Sequence, residues 1–446
     1  MRTLNRRAAL MGAAGLLAAC DTVRDAADYV LEDRKVPLAG ERRAVLTEDK
    51  PLTVDEGANA AVTLPAPTPR ADWLQVGGGL SHAPGNPVLG AQLGEAWRTS
   101  VGAGSTYRRR MVAQPVSDGR TIYVADAEGE VSAVDVATGR RGWRFDTTPK
   151  EDSDGQLGGG LALADGVLYA TTGLAEAMAL DPTNGSVKWR VRLPAPARGA
   201  PTVAGGRIFV PTIDNHVHAL KTADGEKIWS YRGQTIAAMA LGLPAPAVEG
   251  DTVVLGLASG EVAAVRATDG RALWTEALGS ARGTSLAEIS GVSGLPVIDR
   301  GRVFITAQGG STVALDLRSG RRLWERDVPS PETPWVVGDW VFVRTNNMEL
   351  VCFGRNDGRI RWVRALPRWR DEARRRDPIV WSGPIVAGGR IFITGNNAEM
   401  LELAAANGEP ISRLRLSAPT LLAPMVFNST LFLLTEDATL VAVRGI

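Results

Sequence analysis

The chain contains the stretch VALDLRSGRRLW at residues 313–324, and versions of it recur along most of its 446 residues. In the full form of the repeat, an apolar strand ends in Ala-x-Asp, a Gly follows four residues after the Asp, and a Trp follows four residues after the Gly. The Trp recurs at intervals of about 40 to 50 residues, the length of one four-stranded propeller blade. The tryptophans at this position are Trp143, Trp189, Trp229, Trp274, Trp324 and Trp362.

The repeats predict short antiparallel strands, because alternating segments of about five residues lie between turns rich in Gly, Asn and Asp. A blade cannot cover both of its own faces, so each blade is expected to pack against its neighbours. One Trp per blade is expected to fill the wedge between blades, while the Gly permits a tight turn before the last strand. The Asp is expected to cap that turn through its side chain.

The two ends of the repeat region are predicted to complete a ring together. The last three strands, within 424–443, are not followed by a Gly-x-x-x-Trp strand, and the segment GEAWR at 94–98 supplies one. Trp97 then takes the docking position of the last blade. Seven internal copies and this composite copy predict an all-β, eight-bladed β-propeller over residues 71–446, closed by an N-terminal strand, which removes free sheet edges.

Composition argues against one class of function. The chain has 50 basic and 49 acidic residues, which give a formal net charge of +1. A nucleic-acid backbone is neutralised by an excess of Lys and Arg, so binding to DNA or RNA is not expected.

The N-terminus predicts export and lipid attachment. A basic start containing Arg6 and Arg7 precedes a short apolar run, which is typical of a secretory signal and too short to span a membrane. The run ends LAAC at Cys20, which resembles a bacterial lipobox, so residues 1–19 are predicted to be a signal peptide and Cys20 to carry lipid. Two alternatives stay open: twin-arginine export through Arg6-Arg7, and inner-membrane retention through Asp21.

The next segment is predicted to be a flexible tether. Residues 20–70 show no sustained hydrophobic period and are first charged, then Pro-rich. Such a composition is typical of linkers. The predicted organisation is therefore a signal peptide, a lipidated tether and one propeller.

The repeated Ala-x-Asp-x-x-x-Gly-x-x-x-Trp pattern resembles the tryptophan-docking motif of PQQ-like propellers. Together with the lipobox, the tether and the sequence DWLQVGG at 72–78, the chain resembles the BamB family of outer membrane assembly lipoproteins over residues 70–446. The resemblance implies a non-catalytic scaffold of the β-barrel assembly (BAM) complex, lipid-anchored at the periplasmic face of the cell outer membrane. It implies as partners a BamA-like protein, bound through its POTRA domains, other assembly lipoproteins, and unfolded outer membrane proteins.

The resemblance also places partner contacts in two loops on one side of the propeller. The enteric members of the family carry an Arg in the first loop and an Asp-x-Asp in the second, whereas this chain has Leu241 and the sequence GVS at 291–293 there. The location is therefore expected to be shared while the chemistry differs, and ordinary inter-blade loops are the alternative. The implied contact residues are Met239, Ala240, Leu241, Glu288, Ile289, Ser290 and Val292.

An enzyme is the alternative class, because quinoprotein dehydrogenases share the repeat. Resemblance to them would imply PQQ held against a vicinal Cys-Cys disulfide, with Ca²⁺ ligands and an Asp base. This chain has only Cys20 and Cys352, and Cys352 lies in an apolar strand, where it is expected to be a small core residue. No catalytic residue and no cofactor are therefore predicted. A quinone- or small-ligand-binding propeller, or a scaffold of another envelope complex, stays open.

Two polar features remain. His216 and His218 alternate on one strand and share a face, but no Cys or clear carboxylate completes a ligand set, so no metal is predicted. The run RWRDEARRRD at 368–377 is longer than a normal hairpin loop between the sixth and seventh repeats. It is expected to be a solvated insertion or a contact with acidic protein or anionic headgroups.

Overall fold

The computed structural model describes residues 51–445 apart from Asn59, 150–157, 237–241 and 279–290. The predicted signal peptide and the lipid-bearing Cys20 lie outside the described residues. From Leu52 onward the chain forms one unit in which the described residues are almost wholly strands and turns, with a single 3₁₀ turn at Val76–Gly78. A search of the described residues finds no helix with the length and apolar character needed to cross a membrane.

Eight four-stranded antiparallel sheets follow one another along the chain, and they are numbered here as blades 1 to 8. The first strand, β1 (Leu93–Ser100), belongs to the last blade. Blades 1 to 4 consist, from the inner to the outer strand, of β2 (Val116–Ser117), β3 (Thr121–Ala125), β4 (Glu130–Asp135) and β5 (Arg141–Asp146); β6 (Gly159–Ala164), β7 (Val167–Thr172), β8 (Glu176–Leu180) and β9 (Val187–Arg192); β10 (Thr202–Ala204), β11 (Arg207–Thr212), β12 (His216–Lys221) and β13 (Lys227–Arg232); β14 (Ala247–Glu249), β15 (Thr252–Gly256), β16 (Glu261–Arg266) and β17 (Ala272–Ala277).

The second half of the chain repeats this order and adds one two-stranded hairpin between blades 6 and 7. Blades 5 to 7, with the hairpin β26–β27, consist of β18 (Val297–Asp299), β19 (Arg302–Thr306), β20 (Thr312–Asp316) and β21 (Arg322–Arg326); β22 (Trp335–Val337), β23 (Trp340–Arg344), β24 (Glu349–Gly354) and β25 (Ile360–Ala365); β26 (Trp369–Asp371) and β27 (Arg376–Pro378); β28 (Trp381–Ala387), β29 (Arg390–Gly395), β30 (Glu399–Ala404) and β31 (Pro410–Arg415). Blade 8 consists of β32 (Met425–Phe427), β33 (Thr430–Leu434), β34 (Thr439–Gly445) and β1.

The prediction of an eight-bladed propeller closed by an N-terminal strand is confirmed. β1 pairs antiparallel with β34, and Trp97 lies opposite Ala442 in this ladder. The sheet order β1-β34-β33-β32 therefore joins the two ends of the repeat region in one blade. Closure within a sheet satisfies the strand edge that an open array would expose.

The middle strands of each blade form the core. In blade 5, Val303, Phe304 and Ile305 of β19 are all fully buried, whereas Trp324 is the only buried residue of the outer strand β21. Apolar side chains of β19 and β20 form one cluster with those of blade 6, such as Val341. Burial of apolar surface between blades is thus the main force that holds neighbouring sheets together.

The turn between the third and fourth strands explains the Asp and the Gly of the repeat. Gly320 has a φ of +73°, and its N–H donates to the Asp316 carbonyl over 2.8 Å. The Asp316 carboxylate accepts hydrogen bonds from the Ser319 hydroxyl at 2.7 Å and its N–H at 2.9 Å, which hold the pKa of Asp316 below its usual range. The Asp caps the turn, as the sequence predicted, and Asp135 and Asp181 do the same.

The predicted flexible tether is wrong over its last part, residues 52–70. Thr63 accepts a 2.8 Å hydrogen bond from Nε1 of Trp340 in blade 6, and Val62 is only 8% exposed. Proline-rich segments without internal hydrogen bonds suit an extended chain lying on a surface as well as one in solvent. The sequence could not distinguish the two, because the residues that receive this segment lie about 280 positions later.

Candidate functional site

Tryptophans in seven blades dock onto the following blade with one geometry. The indole Nε1 of Trp324 donates 2.9 Å to the carbonyl of Arg355 in blade 6, and that of Trp274 donates 2.8 Å to Leu317 in blade 5. The same bond to the next blade is made by Trp97, Trp143, Trp189, Trp229 and Trp362. These residues are therefore structural contacts between blades and leave the outer ends of the ring free for other roles.

The repeat glycine has a second role besides its turn. A Cβ at Gly320 would lie 2.7 Å from two ring atoms of Trp274, and one at Gly358 would lie 2.6 Å from the ring of Trp324. Each Gly therefore makes room for the indole of the preceding blade. Sequence reasoning missed this role because the two partners belong to different repeats.

The junction between blades 7 and 8 is built differently. Ser412 stands where the other blades have Trp, and its hydroxyl donates 2.6 Å to Glu402. Glu402 also accepts from Arg390 at 2.5 Å, and the same guanidinium donates to the carbonyls of Gly90 and Ala91, just before β1. A polar group thus takes the place of an indole where the N-terminal segment enters the last blade.

Residues 70–91, here the N-terminal strap, run across the inner strands of the blades. Trp73 pairs with Ser117 of blade 1 through two backbone hydrogen bonds of 2.8 and 2.9 Å. The strap then contacts blades 2 to 7 in order, and the pairs of residues are Leu74 with Leu163, Gln75 with Val203, Leu80 with Val248, Ser81 with Ile298, Gly85 with Trp335 and Asn86 with Gly389. One short segment therefore ties seven blades together.

The strap closes one end of a central cavity of about 470 Å³. Trp73, Val76, Gly77 and His82 of the strap line that end. The walls come from the segments that lead into the inner strands, and they are mainly apolar, including Met111, Leu243, Leu295, Trp335, Ile385 and Leu422. A volume of this size is in the range of small-molecule sites.

The polar groups of the cavity are largely used by the chain itself. Glu332 is the only carboxylate among the described lining residues, and it accepts a 2.7 Å hydrogen bond from Arg344, whose side chain is 3% exposed. The other oxygen of Glu332 accepts from the Ser382 hydroxyl and the Gly383 N–H at 3.3 and 3.1 Å. This carboxylate therefore links blades 6 and 7, and sequence reasoning did not single it out.

His82 is the one cavity residue with an unused ring atom that is fully buried. It is 3% exposed, and its Nδ1 lies 2.7 Å from the Pro296 carbonyl, so Nδ1 carries the proton and donates. Nε2 has no hydrogen-bond partner. Burial lowers the pKa of His82 from 6.5 to about 4, against the opposing effect of the Pro296 hydrogen bond, so the ring is neutral at pH 7.

The histidines on β12 and the internal cysteine do not form a reactive group. His216 and His218 stack with their rings 5.8 Å apart, and Nδ1 of His218 bonds the Ser230 hydroxyl at 2.8 Å. The described parts of the chain contain no group of three or more His, Cys, Asp or Glu side chains placed to hold a metal ion. Cys352 is a free thiol, and burial raises its pKa far above the usual range, as expected of a core residue opposite Trp362.

Most of the implied partner contacts fall on segments that the structure does not describe. Met239, Ala240, Leu241, Glu288, Ile289 and Ser290 lie outside the described residues. Val292 is described and is 2% exposed, packed among core residues of blades 4 and 5, so its side chain is not available to a partner. This corrects the expectation for Val292, which followed from sequence position alone and not from the direction of the side chain.

The segments next to both loops lie at the cavity wall. Gly242–Ala245 follow the first loop and Ser293–Leu295 follow the second, and all are cavity-lining residues. The residues that carry the two implied loops therefore belong to the same ring of inter-blade connections.

The charged run at 368–377 forms an ordered hairpin, not a helical turn. β26 and β27 pair antiparallel, with Trp369 opposite Pro378 and Asp371 opposite Arg376. The arginine hairpin, defined here as residues 368–378, exposes all of its arginines. The connection that carries it continues into Ser382–Ile385 of the cavity wall, so it stands on the face formed by the inter-blade connections.

Comparison with known proteins gives one consistent family. Residues 127–364 and 367–445 match the model of a family described as "Outer membrane protein assembly factor BamB". A protein of that name from Xanthomonas campestris pv. campestris is 30% identical over 362 residues, which is 79% of this chain and 86% of the relative.

Solved structures show the same fold. The crystal structure of BamB from Moraxella catarrhalis superposes with a TM-score of 0.69 at 19% identity, covering 79% of this chain and all of that one. A europium-containing methanol dehydrogenase superposes with a TM-score of 0.66 at 14% identity, covering 81% of this chain and 89% of the enzyme. At these identities the likeness shows the fold alone, so fold does not separate a scaffold from an enzyme.

Proposed function

This chain belongs to the BamB family, and we propose that it is a non-catalytic scaffold in the assembly of outer membrane β-barrel proteins. The relatives are named assembly factors. One observation carries the non-catalytic part: the only carboxylate among the described residues of the central cavity is already engaged by Arg344, Ser382 and Gly383. A cavity whose charged group serves the fold supplies no free acid or base.

We propose a periplasmic position at the outer membrane, held by lipid on Cys20. The support is the LAAC sequence at the end of a short apolar run after Arg6-Arg7. Asp21 makes retention at the inner membrane the alternative location. Separation of the two membranes by density, followed by detection of this chain, distinguishes them.

We propose that the partners are a BamA-like barrel protein, bound through its POTRA domains, and the other assembly lipoproteins. The support is the shared family and the clustering of both implied loops on the ring of inter-blade connections. Unfolded outer membrane proteins are proposed as a further ligand, since an extended chain can add to exposed backbone at loops or strand edges.

Deletion of the gene tests the scaffold role. We expect the amount of folded β-barrel proteins in the outer membrane to fall and to be restored by the wild-type chain. A Cys20→Ala chain, which cannot be lipidated, is expected to restore it poorly. Unchanged barrel proteins in the deletion strain would reject the assembly role and leave the fold as the only firm statement.

A quinone- or small-ligand-binding propeller is the second candidate, and the 470 Å³ cavity is the observation that favours it. The purified chain is titrated with PQQ and Ca²⁺ while the absorbance of the bound quinone is followed. We expect no stoichiometric chromophore. A one-to-one bound quinone would establish this second candidate and overturn the non-catalytic proposal.

A further inference from the structure

The arginine hairpin is held rigidly at its base by one residue of blade 7. Asn396 donates from Nδ2 to the Pro378 carbonyl and accepts at Oδ1 from the Val380 N–H, both at 3.1 Å. Its N–H donates to the Val380 carbonyl at 3.1 Å, and its carbonyl accepts from Arg370 at 2.6 Å. Four hydrogen bonds to one side of the hairpin hold it as a fixed projection, which lowers the entropy cost of binding through it.

A second anchor lies under the hairpin. The N–H of Ile379 donates 2.8 Å to the Arg368 carbonyl, and the Ile379 side chain is 4% exposed in the main core cluster. Nε1 of Trp381, which is fully buried, donates 2.8 Å to the Pro367 carbonyl. The hairpin is therefore part of the folded unit and does not behave as a free insertion.

The charges of the hairpin are mixed but predominantly positive. Its five arginines and three carboxylates, all within RWRDEARRRD at 368–377, give a local net charge of 5 − 3 = +2. Arg374 pairs with Asp371 at 3.5 Å, yet its side chain stays 75% exposed. An exposed pair of this kind contributes little stability, so the guanidinium can exchange its carboxylate for one on another molecule.

We propose that the arginine hairpin is a docking surface for an acidic face of the partner protein in barrel assembly. This inference rests on the proposed function and assigns to the partner a surface rich in carboxylates. Guanidinium groups bind carboxylates through paired N–H donors, and a rigid hairpin presents them in a fixed arrangement. Complementary charge of this kind acts mainly on the rate of association.

The same charges argue against an anionic membrane as the ligand. Asp371, Glu372 and Asp377 interrupt the arginines, and a negatively charged surface would repel all three. A protein face can match both signs, residue by residue. The hairpin also stands on the face of inter-blade connections, so a partner that reaches the cavity rim can reach the hairpin as well.

The test compares charge reversal at the hairpin with charge reversal elsewhere. The variant Arg374→Glu, Arg375→Glu, Arg376→Glu changes the tip of the hairpin. The control Arg140→Glu, Arg141→Glu, Arg271→Glu makes the same change of charge at three exposed arginines in the turns between third and outer strands. The barrel protein that co-purifies with the wild-type chain is the ligand, and association rates are measured by interferometry at about 50 and about 500 mM NaCl.

We expect the hairpin variant to associate at least about tenfold more slowly than the control at low salt, with the difference nearly lost at high salt. Equal rates for the two variants would overturn the proposal while the scaffold role stood. A wild-type chain that captures no barrel protein would remove both.

Vesicles containing about a third phosphatidylglycerol form the second arm of the test, since an anionic bilayer attracts exposed basic residues by about 1 kcal/mol each. Co-sedimentation of the wild-type chain that is lost in the hairpin variant, with unchanged binding to the barrel protein, would assign the surface to lipid and overturn the proposal. No hairpin-dependent co-sedimentation is expected.

Discussion

Each docking tryptophan restricts the residue that the next blade can carry. The ring of Trp274 lies where a side chain at position 320 would start, so only Gly fits there. Each repeat thus contains one half of two docking pairs. The regular spacing of Gly and Trp in the sequence is the trace of contacts between repeats, and not only of turns within them.

Two glycines of blade 5 separate the cost of the turn from the cost of docking. Gly320 and Gly301 have nearly equal φ of +73° and +71°, but a Cβ at Gly301 meets nothing within 4 Å. We expect Gly301→Ala to lower the free energy of unfolding by about 1 kcal/mol. Gly320→Ala is expected to cost about 2 to 4 kcal/mol, because overpacking against Trp274 is added. Urea unfolding measures both, and equal losses would show that Gly320 serves the turn alone.

His82 should make stability fall on acidification. Its pKa is lowered by burial to about 4 in the folded chain, against 6.5 when exposed. Below pH 6.5 the unfolded chain binds a proton that the folded chain does not, so stability is lost between pH 6.5 and 4, by up to about 3 kcal/mol, and no further below that.

The variant His82→Asn tests this. Asn keeps a donor for Pro296 and tolerates the φ of +55° at this position, but it does not titrate. Unfolding free energies at about pH 7.5 and pH 4.5 should differ less in the variant than in the wild type. Carboxylates and His218 contribute equally to both proteins, so parallel pH profiles would rule out His82 as the cause.

At the scale of elements, the N-terminal segment does more than its composition suggests. The strap contacts seven blades, and the residues before it lie against blade 6. Nothing in 52–70 has a period, so the sequence indicated a linker, and the true boundary depends on acceptor carbonyls that meet distant donors such as Trp340. A strap of this kind is visible only once its receiving surface is folded.

Two truncated mature chains test the boundary. A chain that starts at Leu52 should unfold at the temperature of the longer chain. A chain that starts at Ala71 loses the Trp340–Thr63 hydrogen bond and the buried Val62, and should melt several degrees lower. Melting is followed by calorimetry. If both chains melt together, residues 52–70 act as a tether after all.

The strands were predictable from sequence and the exceptions to the repeat were not. The alternating segments and the Ala-x-Asp turn determine blades 1 to 5 locally, and the missing Gly-x-x-x-Trp strand pointed to Trp97. At the junction of blades 7 and 8 the sequence showed only the absence of a Trp. Its replacement by Arg390, Glu402 and Ser412 requires three residues from three strands, and no spacing rule brings them together.

At the scale of the whole molecule, the ring separates structural from interacting parts. The indoles and the strap hold the blades together, while the inter-blade connections form a continuous face that carries the cavity rim, both implied loops and the arginine hairpin. A scaffold needs such a face, broad and fixed, because it acts by holding partners in place. The candidate site was predicted by position but not by side chain, as the buried Val292 illustrates.

The measurement that tests the central claim most directly is affinity purification of the tagged, lipidated chain from detergent-solubilised envelopes, with mass spectrometry of the chains that co-purify. We predict recovery of a POTRA-bearing barrel protein together with other assembly lipoproteins, and their loss when the solubilised barrel protein is depleted first. Recovery of an inner-membrane complex alone, or of no partner, would contradict the proposal that this propeller is a scaffold of outer membrane assembly.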